Sequence, residues 1–218
     1  YTNFDLSADG RYIVAVRTAS AWVLDVTRGI ATRALPTGRG PGDTVWAPDA
    51  KRFAYGLQGT TRGIEQPAYG GAERVIGEFP GFRGIEDWSR DGKYLAIIVV
   101  VDDRRRGLAV PVAGGQPVVV VETTAPTLTD EFHFSPDGRW VAYNSDESGR
   151  HEVYIAPFGP AGERWQVSIG GGVQGRWRGD GRELYYLSLD GTLMVVQIGA
   201  GSPPQLGTPK ALFKTGLV

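Results

Sequence analysis

The chain has 218 residues, a formal charge of -1, two histidines and no cysteine, which excludes disulfide frameworks, thiolate metal sites, cysteine nucleophiles and multi-histidine metal centres. The near-zero charge also removes the positive footprint that sequence-independent nucleic-acid binding requires. Glycine is abundant at 32 residues, aromatics reach 11%, and the longest apolar run, Leu95 to Val101, has seven residues against the roughly 20 that a membrane helix needs, so short strands and tight turns are predicted and no membrane-spanning helix is.

In chain order, the first predicted element is a hairpin, "FDLSADGRYIVAV", built on a turn at Asp9. It recurs as "TVWAPDAKRFAYG" at Asp49, "EDWSRDGKYLAII" at Asp91, "FHFSPDGRWVAY" at Asp137 and "GRWRGDGRELYYL" at Asp180, with spacings of 40, 42, 46 and 43 residues. That period is the length of one four-stranded propeller blade. Three places before each turn Asp stands one large apolar residue, Leu6, Trp46, Trp88, Phe134 and Trp177, suited to wedging neighbouring sheets together. Each Asp can accept a hydrogen bond from the backbone N–H two residues on, and the glycine that follows tolerates the left-handed bend. At Ala50, where that glycine is missing, the turn is expected either to adopt another geometry or to carry strain on the order of 1 kcal/mol. A basic residue comes next in all five copies, Arg11, Lys51, Lys93, Arg139 and Arg182, and reads as protection of an outward strand.

A second strand follows each turn, and a third follows a polar loop, as in "WVLDV", "GLAVPV", "EVYIAPF" and "TLMVVQI". Pro67, Pro111 and Pro157 fall at matching places, which puts these strands toward the outer edge of each sheet. A fourth strand such as "PVVVVE" closes the unit. Sheets of this size bury both faces only by packing on one another. The predicted architecture is all-β, a single-domain β-propeller over residues 1–218, with blades of approximately 1–37, 38–79, 80–122, 123–169 and 170–218. The chain opens at Tyr1 with no Met or signal-like segment, which reads as a mature or excised piece.

The Ser-Pro-Asp-Gly string, clearest from Ser135 to Tyr143, resembles the repeats of TolB-like bacterial β-propellers, shape relatives of the WD-repeat propellers. The stretch from Arg164 to Ile198 is similar to the C-terminal propellers of bacterial Ser/Thr protein kinases and of some winged-helix regulators. The resemblance implies six or more blades, where five turn motifs are counted here. It further implies a recognition or scaffold role in a larger bacterial protein and an extracytoplasmic or periplasmic setting. Should the ring be incomplete, self-association is a further expectation.

No nucleophile elbow and no metalloprotease or calcium-loop motif occurs. "GGG" at 170–172 lacks the helix start that phosphate binding needs and reads as a turn between blades. His133 sits on an innermost strand and reads as a hydrogen-bonded or channel-lining side chain, whereas His151 reads as solvated. Arg104, Arg105 and Arg106 follow Asp102 and Asp103, and read as a solvated loop tip with a binding role as the sharper alternative. Six places before the turn residues stand Asn3, Asp43, Ile85, Glu131 and Gln174, with Asp87 and Asp130 close by in sequence. If these gather at the channel mouth, Asn3, Asp43, Asp87, Asp130, Glu131 and Gln174 either solvate it or bind a cation, an amine or a sugar hydroxyl. Asp43, Asp87 and Glu131 also suit the paired carboxylates of a glycan-acting hydrolase or lyase.

The leading expectation is a non-catalytic module without a cofactor, which binds protein segments or a small polar ligand. It would do so through loops 18–20, 58–63, 102–107, 146–151 and 188–191. A purely structural repeat with no ligand is the third reading.

Overall fold

The computed structural model describes residues 3–35, 38, 40–123, 128–160 and 162–216, with residues 128–130 described by their backbone alone. Among the described residues every regular element is a strand. The first sheet orders β1 (Asn3–Leu6), β2 (Tyr12–Arg17), β3 (Ser20–Asp25) and β4 (Ile30–Arg33) as consecutive antiparallel neighbours. The second repeats this with β5 (Pro41–Trp46), β6 (Arg52–Leu57), β7 (Arg62–Pro67) and β8 (Arg74–Glu78). The third comprises β9 (Phe82–Trp88), β10 (Tyr94–Val101), β11 (Arg104–Pro111) and β12 (Val118–Thr123), and the fourth β13 (Leu128–Phe134), β14 (Trp140–Ser145), β15 (Glu152–Pro157) and β16 (Trp165–Gln166). In the fifth, β17 (Val173–Trp177), β18 (Glu183–Leu187) and β19 (Thr192–Gly199) are followed by two strands that both pair with β19, β20 (Gln205–Leu206) and β21 (Lys210–Lys214).

The hairpin between first and second strands has the same chemistry in every sheet. The carboxylates of Asp9, Asp49, Asp91, Asp137 and Asp180 accept the backbone N–H two residues on, at 2.9–3.1 Å. In three repeats a serine extends the network. Ser7, Ser89 and Ser135 each donate Oγ–H to the turn Asp and accept the N–H of the residue that opens the next strand. Several of the bend's own donors thus find partners without leaving the turn, which lets the sheet end abruptly. The carboxyl of Asp9 is held below its ordinary value, chiefly by the Ser7 hydroxyl and then by the Arg11 N–H.

Contacts divide the chain into two compact units, Tyr1–Val101 with Leu108–Pro117, and Asp102–Gly107 with Val118–Val218. In the first, Val14 and Val23 pack with Trp46, Phe53, Tyr55 and Ile64 between the first two sheets. Val45, Ala54 and Phe79 pack with Ile85, Trp88, Leu95 and Ile97 between the second and third. In the second unit Ala142, Val153 and Ile155 meet Leu184, Tyr186 and Val196. The column of large residues supplies inter-sheet polar bonds as well as apolar area. The Trp46 indole donates to the Asp5 carbonyl at 3.1 Å, and the Trp177 indole to the His133 carbonyl at 3.3 Å, the equivalent place in the preceding sheet. Trp88 instead turns its indole to Gly92 of its own hairpin. Phe134 packs edge-on to Phe158 at 5.4 Å.

Leu6 departs from the expected wedge. It is 52% exposed and its neighbour Phe4 is 72% exposed, because β1 belongs to the first sheet of its unit and no earlier sheet in that unit lies against it. The arginine run also departs from expectation. Asp102 and Asp103, both left-handed at φ 52° and 57°, make the turn by themselves, so Arg104 to Arg106 lie within β11 rather than at a loop tip. Arg104 and Arg106 each pair with Glu122 on β12 at 2.5 Å.

Ala50 keeps the left-handed turn, with φ at 53°, and so carries the strain that a side chain meets there. Gly81 is the opposite case, since a Cβ at that position would stand 1.9 Å from the Val100 carbonyl oxygen. Urea unfolding should therefore show Ala50→Gly gaining about 1 kcal/mol, whereas Gly81→Ala should lose about 1–3 kcal/mol through strain and the displaced carbonyl.

Candidate functional site

Within each unit the innermost strands begin at the end that also carries the turns between second and third strands, as the pairing of Asn3 with Val16 and of Pro41 with Leu57 requires. In the first unit Asn3 Nδ2 donates to Asp43 Oδ1 at 2.8 Å, while Asn3 Oδ1 accepts both the N–H and the hydroxyl of Thr44. Asp5 extends the seam by accepting the Trp46 N–H at 2.7 Å. Two of the predicted mouth residues therefore bind each other and join the first sheet to the second.

The third sheet changes the expected set. A β-bulge interrupts the register of β9, where Ala96 faces Asp87 but Ile97 faces Ile85. One extra residue, Glu86, is thereby turned out of alternation, as a bulge does. Ile85 is buried in the core, and Glu86 takes the polar role. A Cβ on Gly84 would stand 2.6 Å from Glu86 Oε1 and 3.1 Å from Asp43 Oδ2, so glycine there lets two carboxylates from adjacent sheets converge. Asp87 Oδ1 accepts its neighbour's backbone N–H, that of Trp88, at 2.8 Å. Glu86 was not legible in the repeat alignment, because a bulge shifts register without changing composition.

In the second unit Glu131 pairs with Arg176 at 3.0 Å, and the same Arg176 nitrogen donates to the Gly175 carbonyl. Gln174 is exposed and left-handed, φ 59°, at the bulge of β17. The side chain of Asp130 lies outside the described residues. The imidazole of His133 is held well below its ordinary pKa, by burial first and by the charge of Arg176 second. His151, expected in solvent, is half-buried, with Nδ1 shielded and without a hydrogen-bond partner.

Glu152 is the second residue that sequence reasoning missed, although a lone charge in the apolar run "HEVYIAPF" is a readable signal. Fully buried, it accepts the Ser168 hydroxyl, the Gly171 N–H at 2.9 Å and the Arg150 guanidinium at 2.7 Å. The triple glycine thus serves the connection between fourth and fifth sheets. Gly172 donates its N–H to the His151 carbonyl, and a Cβ on it would lie 2.6 Å from that of Ser168.

The loops differ in reach. Residues 18–19 and 102–103 are two-residue turns with both residues left-handed, which suits tightly twisted hairpins. Among the connections between second and third strands, four-residue loops stand at 58–61, exposed throughout, and at 188–191, and a six-residue loop at 146–151. No group of three or more His, Cys, Asp or Glu side chains able to hold a metal occurs among the described residues.

Five repeats of a four-stranded antiparallel meander, joined by wedge residues and inter-sheet hydrogen bonds, define a β-propeller. Among solved structures the chain is similar to the putative TolB from Agrobacterium tumefaciens, with a TM-score of 0.79 and 17% identity over 97% of this chain and 80% of that one. It is also similar to TolB from Acinetobacter baumannii, with a TM-score of 0.74 and 21% identity over 94% of this chain, and spans 53% of that protein's length. The nidogen/laminin complex contains a third similar chain, at a TM-score of 0.71 and 13% identity over 98% of this chain and 85% of that one. No family model and no curated protein matches. The fold is that of the TolB-like propellers.

A lowered His133 pKa has a definite sign in stability. Below about pH 6.5 the unfolded chain binds a proton that the folded imidazole refuses, so this contribution is complete above that pH and is lost as pH falls. Urea unfolding across a pH series should show stability declining from about pH 6.5 to 5, by up to about 1.4 kcal/mol per pH unit. In His133→Gln that decline should disappear while the acid limb near about pH 4, due to carboxylates, remains.

Proposed function

We propose that this chain is a non-catalytic recognition propeller that binds protein segments, serving as the sensor or scaffold module of a larger bacterial protein. The observation that carries the reading is how the repeat's chemistry is spent. Turn carboxylates hold hairpins, wedge indoles hold sheets, and Asn3 with Asp43 and Glu131 with Arg176 tie neighbouring strands together. What varies from repeat to repeat and is exposed throughout is loop 58–61, whereas loop 146–151 also braces the buried Glu152 through Arg150. The similarity to a chain of the nidogen/laminin complex, an assembly between proteins, supports the same reading.

The second reading is a glycan-acting hydrolase or lyase, supported by the convergence of Asp43 and Glu86 over Gly84. Two carboxylates about 5–9.5 Å apart suit acid and base roles at a glycosidic bond. It predicts hydrolysis of a glycan panel that is abolished by Asp43→Asn and by Glu86→Gln.

Selection from a displayed peptide library separates the two. The expected outcome is an enriched peptide whose affinity falls by about tenfold or more when the exposed loop 58–61 is replaced by a two-residue Asn-Gly turn, with unchanged thermal melting. Failure to enrich any peptide, together with turnover on the glycan panel, would transfer the assignment to the second reading.

A further inference from the structure

The repeat gives every position in one sheet a counterpart in the others. On the first two strands the turn carboxylates of Asp9, Asp49 and Asp180 fix the correspondence. On the third it is fixed by the equivalent bonds from the N–H groups of Val26, Ala68 and Ile198 to the carbonyls of Arg11, Lys51 and Arg182. On two faces the counterparts differ in burial.

The face of the second sheet turned toward the first carries Thr44, Trp46, Phe53, Tyr55 and Ile64, none more than 5% exposed. Their counterparts in the first sheet are Phe4, Leu6, Ile13, Ala15 and Trp22, which share one face by register. There Phe4 and Leu6 are exposed, and Ile13 and Trp22 are only half-buried. The face of the first sheet turned toward the second carries Val14, Val16, Ala21 and Val23, again none more than 5% exposed. Their counterparts in the fifth sheet are Tyr185, Leu187, Leu193 and Val195, also one face by register, and all four are half-buried. Beside them Phe213, opposite Leu193, is 60% exposed. Leu212, 48% exposed, is the extra residue of a bulge, the place that Ile76 holds in the second sheet, where it packs against the core shared with the third.

Neither set of counterparts contains a charge, and their sizes change in opposite senses. Trp46, Phe53 and Tyr55 correspond to the smaller Leu6, Ile13 and Ala15, although Thr44 and Ile64 correspond to the larger Phe4 and Trp22. Val14, Val16 and Ala21 correspond to the larger Tyr185, Leu187 and Leu193. A face that has lost bulk at three places is thus matched by one that has gained it at three, which keeps a shared layer filled. The polar seam is not repeated. Where Asp5 accepts the Trp46 N–H the fifth sheet has Arg176, already paired with Glu131, and Leu6 brings no indole. A joint between these faces is therefore apolar, and weaker than the one built into the chain.

We propose that a second copy of this chain covers these faces head to tail, the fifth sheet of one copy packing on the first sheet of the next as the first packs on the second within the chain. The repeat selects the occupant, because the counterparts of the two faces already form a core together. A contact between two different surfaces is heterologous, so copies add until the assembly closes on itself. It uses neither the loops nor the polar residues of the mouth, and it stands or falls independently of the function proposed above.

The test is sedimentation velocity of the whole chain from about 1 to about 300 µM. The weight-average mass should rise with concentration above that of one copy. Leu6→Arg on the first sheet and Phe213→Arg on the fifth, both at exposed positions, should each weaken association by about tenfold or more with unchanged thermal melting. An equimolar mixture of the two variants should recover association and stop at two copies, since each variant keeps the face that the other has lost. A single copy across the whole series, association that either variant leaves unchanged, or a mixture that associates no better than its components, the mark of one face meeting itself, would each overturn the proposal.

Discussion

One carboxylate per repeat, at the bend between the first and second strands, is the contact on which the rest of this chain depends. It satisfies a backbone N–H that a tight turn would otherwise leave bare, and where Ser7, Ser89 or Ser135 is present it also anchors the hydroxyl that receives the next strand. Because the bond is made inside five residues, each hairpin has a defined exit direction before any distant part of the chain arrives. The wedge residue three places earlier is then presented to the neighbouring sheet at a fixed height, which is why Trp46 and Trp177 find equivalent carbonyls, those of Asp5 and His133. Local turn chemistry and long-range packing are one device here. Low-cost local contacts position the large apolar groups whose burial supplies most of the stabilisation.

The fold was legible for this reason. A motif that recurs every 40 to 46 residues with turn, basic and wedge columns in phase carries its architecture in its spacing, and the five meanders follow it. Ala50 was legible in part, since its place in the column posed a choice between another turn geometry and strain, which its left-handed φ decides. Leu6 was not. Its column names a side chain able to wedge, but the neighbour to wedge against lies outside anything a column records.

The candidate site was legible only in part. Asn3, Asp43 and Glu131 are polar at the expected height, but the alignment does not reveal that Asn3 and Asp43 bind each other or that Glu131 is answered by Arg176. The arginine run was misplaced because Asp102 and Asp103 form a turn of the minimum length, whereas polarity alone suggested a longer loop. Glu152 went unnoticed because it obeys no repeat. It is a solitary buried anion whose partners, Ser168 and Gly171, lie in the next connection. Side chains that serve the repeat announce themselves by periodicity, and those that serve one place announce themselves by breaking it, as Glu152 does.

The bulges in β5, β9, β13 and β17 all fall upstream of the wedge residue, near the beginning of the strand. An irregularity so placed acts as a swivel: the downstream half stays locked in its packing while the upstream half is free to rotate which side chain it offers. The inner strands can in this way exchange the groups at their entrance, Ile for Glu or Gly for Gln, without repacking the core beneath. A scaffold of this kind separates the packed half of each inner strand from the half that meets the entrance, and the boundary between them is one or two extra residues in each strand.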